Sequence, residues 1–211
     1  MVRTGARASE LTALLSQAGH VADAAKPRPP RLEDFRTNVS LELLSLYRDL
    51  GGSKDHPRLR PGAWDLSFDG VLVELDEELH FNRYRRRTVE SGVGSTAPWA
   101  SFYLDASVRH EPECLRGGRW GARWTSRPTT NMFGQGAEPG NLDSPGGAPR
   151  WKQRALYDTM KDAAGLSLAD VRFARLSVWD EVAGVRLGDA LEGRATIDIS
   201  ALSQHLADRT I

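Results

Sequence analysis

The sequence contains a single cysteine, Cys114, in 211 residues. One thiol excludes an intrachain disulfide framework, so stability must come from an apolar core, and such sparing use of cysteine fits a reducing compartment. No apolar run approaches the roughly 20 residues that cross a bilayer. The leucines at 11, 14 and 15 sit among polar residues and are too few for the apolar segment of a signal peptide, so the expected address is the cytoplasm. Neither sign of charge is in excess, since 28 basic residues meet 28 acidic ones. A neutral chain has no overall field for nucleic acid, and any such partner must be held by local basic clusters. There is no glycine-rich phosphate loop, no nucleophile-elbow motif and no internal repeat. His110, Glu111, Glu113 and Cys114 are crowded, but their spacing matches no zinc pattern.

Apolar residues make up 40% of the chain, enough for a substantial core. The first stretch with a readable period is a short helix near residues 10–18, ended by the Pro-rich basic run Lys-Pro-Arg-Pro-Pro-Arg at 26–31. Residues 1–31 therefore read as a loosely attached arm, with the main domain over 32–211. Leu32, Phe35, Val39, Leu43, Leu46 and Leu50 recur at helical spacing and stop at Gly51-Gly52, which predicts a helix over 33–50. Asp69-Gly70 between alternating runs predicts a tight hairpin. A helix is expected from about Glu77 through Arg87. Residues 92–149 are rich in Gly and Pro and hold Trp99, Trp120 and Trp124. They read as a long irregular insertion after a strand at 100–106, a segment that is functional or a surface for a protein partner. A helix from Trp151 to Gly165, a strand over 171–178, a weak strand at 195–199 and a helix over 200–207 complete the pattern. The fold class is α/β, with a mixed central sheet flanked by helices.

The hairpin carries the chemistry. With a two-residue turn, Phe68 faces Val71, Ser67 faces Leu72, Leu66 faces Val73 and Asp65 faces Glu74. Alternation then puts Trp64, Leu66, Phe68, Val71, Val73 and Leu75 on one face, and Asp65, Ser67, Glu74 and Asp76 on the other. Carboxylates directly opposed across a strand pair repel by up to about 1 kcal/mol. A divalent cation removes that repulsion, and hard oxygen donors suit Mg²⁺ or Mn²⁺. A solvated acidic sheet face needs no ion, and that alternative stands beside the first. His80, four residues beyond Asp76, is a candidate ligand, proton-transfer group or phosphate contact, or else an ordinary surface histidine. Arg83, Arg85, Arg86 and Arg87 can grip phosphates or pair with nearby glutamates. Arg116, Arg119, Trp120, Arg123, Trp124 and Arg127 mix cations with aromatics, as a stacking surface for bases or as a small local core.

With those residues in view, the chain resembles the PD-(D/E)xK nuclease superfamily, and within it the branch of very-short-patch-repair-type endonucleases. The likeness rests on Glu42 in the first long helix, Asp65 in Trp-Asp-Leu-Ser-Phe, and Glu74, Asp76 and His80 in Val-Glu-Leu-Asp-Glu-Glu-Leu-His. It continues in Arg154 and Asp158 of Trp-Lys-Gln-Arg-Ala-Leu-Tyr-Asp and in Val-Arg-Phe-Ala-Arg-Leu. It covers residues 33–90 and 150–182. The resemblance implies a restriction-endonuclease-like fold and Mg²⁺- or Mn²⁺-dependent hydrolysis of phosphodiester bonds in DNA. Asp65, Glu74, Asp76 and His80 would be catalytic, and Glu42 would join the three acids as a metal ligand. Arg83, Arg85, Arg86, Arg87, Lys152 and Arg154 would contact nucleic acid. The sequence departs from the superfamily at its usual Lys, which is Asp76 here, and Glu77 replaces the branch's Gly. Those departures leave room for a catalytically inactive nucleic-acid-binding or interaction module on the same fold.

Overall fold

At the Asp69-Gly70 turn, both central residues take positive φ, 50° and 76°. That is the signature of a type I′ turn, whose twist matches a two-residue hairpin; glycine adopts it freely and aspartate tolerates it. The computed structural model describes residues 5–211. Its helices and strands run α1 (Ala6–Gln17), α2 (Thr37–Asp49), β1 (Leu66–Phe68), β2 (Val71–Asp76), α3 (Arg83–Val89), α4 (Ala100–Arg109), α5 (Glu111–Gly118), α6 (Arg127–Phe133) and α7 (Pro149–Ser167). They continue through β3 (Arg172–Ser177), β4 (Glu181–Val182), β5 (Val185–Arg186), α8 (Leu187–Leu191) and α9 (Ile199–Asp208). The protein is mixed α/β, with a small mixed sheet and helices around it. It divides into two compact units. The first holds the chain up to Arg28 with Ala63–Glu77 and Ala169–Ile211; the second holds Pro29–Gly62 and Glu78–Leu168.

In the first unit β2 is the middle strand, antiparallel to β1 and parallel to β3. The hairpin register is the expected one, Leu66 with Val73, Ser67 with Leu72 and Phe68 with Val71. Phe68, Val71, Val73 and Leu75 join Ala174, Leu176 and Val178 in one apolar core. Leu11 and Leu15 of α1, Leu187 and Leu191 of α8, and Leu202 and Leu206 of α9 cover that face. Every residue of β2 is buried, as expected of a strand paired on both sides. Short bridges close both outer edges of the sheet: Ala22 pairs with Phe68, and Thr210 with Ala174.

Five expectations change here. The N-terminal helix is no loose arm, because Leu11 and Leu15 have no exposed surface and belong to the core. Trp64 does not share the apolar face. Strand pairing starts only at Leu66, and Trp64 lies against Phe173, 5.6 Å between ring centroids, on the opposite side. Residues 100–106 are helical within α4, where Ala100, Tyr103, Ala106 and Ser107 are buried at helical spacing. A run rich in aromatic and aliphatic residues is ambiguous between periods of two and 3.6, and here packing selects the helix. The segment before α9 is not a strand, since the helix begins at Ile199 and is capped by Asp198, whose Oδ1 accepts from Ala201 N at 3.0 Å. The helix expected from Glu77 is broken into a 3₁₀ turn, Glu78–His80, and α3, which Asn82 caps by accepting from Tyr84 N and Arg85 N.

The second unit is helical. α7 packs against α2, α3 and α6, and α4–α6 give residues 92–149 more regular structure than the sequence suggests. Trp124 meets Trp151 edge-on at 5.3 Å in a small core that includes buried Cys114. Burial pushes the Cys114 thiol up to about 12. Cys114 is therefore expected to resist DTNB in native protein at pH 8 and to react once denaturant unfolds the second unit. In the first unit, Leu176→Ala removes a fully buried side chain of β3 from the core beneath the covering helices. It is expected to lower unfolding free energy by about 2–5 kcal/mol, read from the urea midpoint.

Candidate functional site

The hairpin brings Asp65 and Glu74 side by side, and their main chains lock the pair. Asp65 N donates to Glu74 Oε1 at 3.1 Å, and Leu75 N donates to Asp65 Oδ2 at 3.0 Å. Each carboxylate thus holds the opposite strand where the ladder of β1 has just ended. Asp65 is exposed, Glu74 is buried at 3%, and Lys26 Nζ donates to Asp65 O at 2.7 Å. The paired acids are the feature the alternation predicts.

Asp76 takes a different part. Its register partner is Ser177, two residues beyond the Glu74–Arg175 pair. The Arg175 side chain reaches it, with Nη1 at 2.7 Å from Oδ1 and 2.9 Å from Oδ2. Both residues are at 0% exposure, and the Arg175 guanidinium lies 5.3 Å from the Phe173 ring centroid. The sheet therefore supplies its own cation to this acid. Asp76 is a buried ion-pair partner, because in a low-dielectric interior a carboxylate must meet a charge within bonding distance.

The remaining expected residues lie in the second unit. Glu42, on α2, accepts from Val93 N through Oε1 at 2.7 Å. Together with Asp49, Arg87 and Glu90 it lines a cavity of about 240 Å³. His80 Nδ1 and Asp158 Oδ2 are 2.8 Å apart, with His80 partly exposed and Asp158 buried. Arg154 Nη1 donates to Leu79 O at 3.0 Å. The segment Glu-Glu-Leu-His and the helix carrying Arg154 and Asp158 thus meet across 78 residues of sequence.

The arginine run is divided among acids. Arg83 holds Glu111 at 2.8 Å and Asp143 at 2.5 Å. Arg86 pairs with Glu90 at 3.0 Å, and Arg87 with Asp49 at 3.6 Å. Arg85 is a correction to the phosphate-contact set. It has no exposed surface, bonds Asp162 at 2.7 Å and Thr159 at 3.2 Å, and sits over the Tyr103 ring. Helical period decides this, because one arginine of the four faces inward, where only a buried acid can meet it. Lys152 lies 5.6 Å from the Tyr84 ring centroid, and desolvation lowers its pKa. In the insertion Trp124 is core, whereas Trp120 is 63% exposed with the Arg119 guanidinium 4.7 Å from its ring.

Sequence reasoning missed Arg175, Asp162 and Asp180 as charge partners. Asp180 is wholly buried and accepts from Ser177 N at 2.8 Å and Arg209 Nη2 at 3.0 Å, with His205 Nε2 at 3.1 Å. No local motif marks such residues; only a charged residue inside an apolar alternation, as at Arg175, gives a hint.

A mixed α/β sheet whose hairpin pairs two carboxylates is the class of protein that fold and site define. A family of unknown function, DUF7255, matches residues 45–193, and the chain belongs to that family. The match includes Asp65, Glu74, Asp76, His80, Asp158 and Arg175 but stops short of Glu42. No curated protein and no solved structure matches the chain.

Arg175→Ala leaves Asp76 buried without this partner and is expected to cost about 3–5 kcal/mol in chemical denaturation. The double replacement Asp76→Leu with Arg175→Met should recover most of that loss, because both buried charges go together.

Proposed function

We propose that this protein is a nuclease-like hydrolase of phosphodiester bonds, acting on DNA, in which Asp65 and Glu74 hold Mg²⁺ or Mn²⁺. The observation that carries this reading is the reciprocal locking of the two carboxylates by the main chain of the opposite strand. Two hard oxygen donors on one rigid hairpin fit a small divalent cation. When bound, such an ion lowers the pKa of a water and offsets charge on a scissile phosphate. Asp65 and Glu74 supply position and negative charge. Asp76 anchors β2 to Arg175 and is left out of the ligand set, as is Glu42, which is committed to the loop at Val93. His80, oriented by Asp158 through Nδ1, is equipped for proton transfer. Arg86 and Arg87 are the proposed phosphate contacts, because surface ion pairs such as theirs are worth at most about 1 kcal/mol and open readily. A cytoplasmic location accompanies this reading.

A second reading is favoured by Asp76–Arg175. An acidic sheet face already neutralised from within suits a module that binds nucleic acid or a protein partner without cutting it, using residues 92–149 as part of its surface.

Calorimetric titration with Mg²⁺ and Mn²⁺ separates the two readings. Wild type is expected to bind one ion. Asp65→Ala and Glu74→Ala should each weaken binding by at least tenfold and abolish cleavage of plasmid and single-stranded DNA. Absence of metal binding by wild type would discard the nuclease reading and leave the binding module.

A further inference from the structure

We propose that Asp69, His20 and Ser203 form a serine–histidine–aspartate relay in the first unit, with Ser203 as a nucleophile toward small esters. His20 Nδ1 lies 2.8 Å from Asp69 Oδ2, and His20 Nε2 lies 2.9 Å from Ser203 Oγ. The order of contacts is the one the chemistry requires. The carboxylate sits on the nitrogen remote from the serine, fixing the tautomer that leaves Nε2 to take the hydroxyl proton.

Each member is fixed from its own backbone. Asp69 occupies the positive-φ turn, and its Oδ1 accepts from Val21 N at 3.2 Å while its N donates to Val21 O at 3.0 Å. The turn is braced again by Gly70 N on Asp23 Oδ2 at 3.1 Å. His20 closes α1. Gly19 turns at φ 91°, and His20 N reaches back to Leu15 O at 3.0 Å, a helix-ending arrangement that fixes the His20 backbone. Ser203 stands within α9 and is partly exposed. The other charge on the turn is Arg172, whose Nη1 donates to Asp69 O at 3.3 Å. The bonds from His20 and Val21, with these neighbouring charges, hold the Asp69 carboxyl below the usual range, so it is ionised at neutral pH.

The first unit also has a cavity of about 490 Å³, lined by Glu10, Leu14, Gln17, Arg194, Thr196 and Ile199, among others, and by none of the three relay residues. Ile199 precedes Ser203 by four residues on α9 and so lies on the same face, one turn away. Gln17 precedes His20 by three residues. Its walls are mixed, with Leu14, Ile197 and Ile199 beside the charged Glu10 and Arg194, and its volume suits a small ligand. Val21, the residue after His20, is 68% exposed.

The reaction balances without a cofactor. Ser203 Oγ attacks the ester carbonyl as its proton passes to His20 Nε2. The ester C–O bond breaks, and the imidazolium returns the proton to the departing alcohol. Water, deprotonated by His20, then attacks acyl-Ser203; the acyl C–Oγ bond breaks, the imidazolium returns the proton to Ser203 Oγ, and the carboxylic acid leaves.

Full-length protein is treated with a fluorophosphonate probe, and separately with p-nitrophenyl acetate, in EDTA so that no divalent ion takes part. A single adduct mapped to Ser203 by peptide mass spectrometry is expected. Ser203→Ala should abolish it, and His20→Ala should slow it by about 10²–10⁴-fold, the range for a positioned base. Asp69→Asn should slow it as well. Melting temperatures of the variants are recorded alongside, and Ser203→Ala is expected to melt as wild type. No adduct at Ser203, or equal labelling in folded His20→Ala, overturns the relay. Because EDTA is present throughout, either result is independent of the metal-binding reading.

Discussion

Asp76 and Arg175 are 99 residues apart in sequence and bonded at 2.7 Å across neighbouring parallel strands. Parallel strands cannot be joined by a tight turn, so the chain must leave β2 and come back before β3 can form. Residues 78–168, the larger part of the second unit, occupy that excursion. The ion pair gives the return a defined register. A slip of one residue along β3 would bury an unmatched guanidinium and an unmatched carboxylate, each costing several kcal/mol. The same slip would also turn Ala174, Leu176 and Val178 out of the apolar core.

That assignment divides what looks in the sequence like one acidic cluster. Asp76 belongs to the architecture, and its negative charge is spent on Arg175. Asp65 and Glu74 lie at the mouth of the hairpin, where the main chain positions both carboxylates. The same division runs through the arginine run of α3. Arg85 is a structural cation matched to Asp162, whereas Arg86 and Arg87 hold only surface partners. For the arginines burial, and not residue type, separates the scaffold cation from the surface ones.

How much of this is legible in the sequence follows from the distance over which each interaction acts. The Asp69-Gly70 turn fixes the pairing of Leu66 with Val73 within a few residues, and the alternation that places Phe68 and Val73 inward is equally local. α2, α7 and the β3 strand are legible for the same reason, since each buries one face at its own period. The β4–β5 hairpin is harder to see. Its turn is Ala183-Gly184, and alanine at φ 48° is an unusual choice that gives no turn signal. α4 is hidden because aromatic residues favour strands locally while packing selects a helix. The partners of Asp76, Arg85 and His20 lie 99, 77 and up to 183 residues away. No window on the chain contains both members of such a pair, so only the folded arrangement reveals them.

The bridges at Ala22 and Thr210 have one more implication. Short flanking stretches lie alongside β1 and β3, and Phe173 and Ile211 exchange main-chain bonds of 2.9 Å in both directions. The sheet of the first unit therefore offers little ladder for a foreign strand to extend, whether in self-association or in docking of an extended peptide. Strand addition at those two edges would first have to displace the Ala22 and Thr210 stretches.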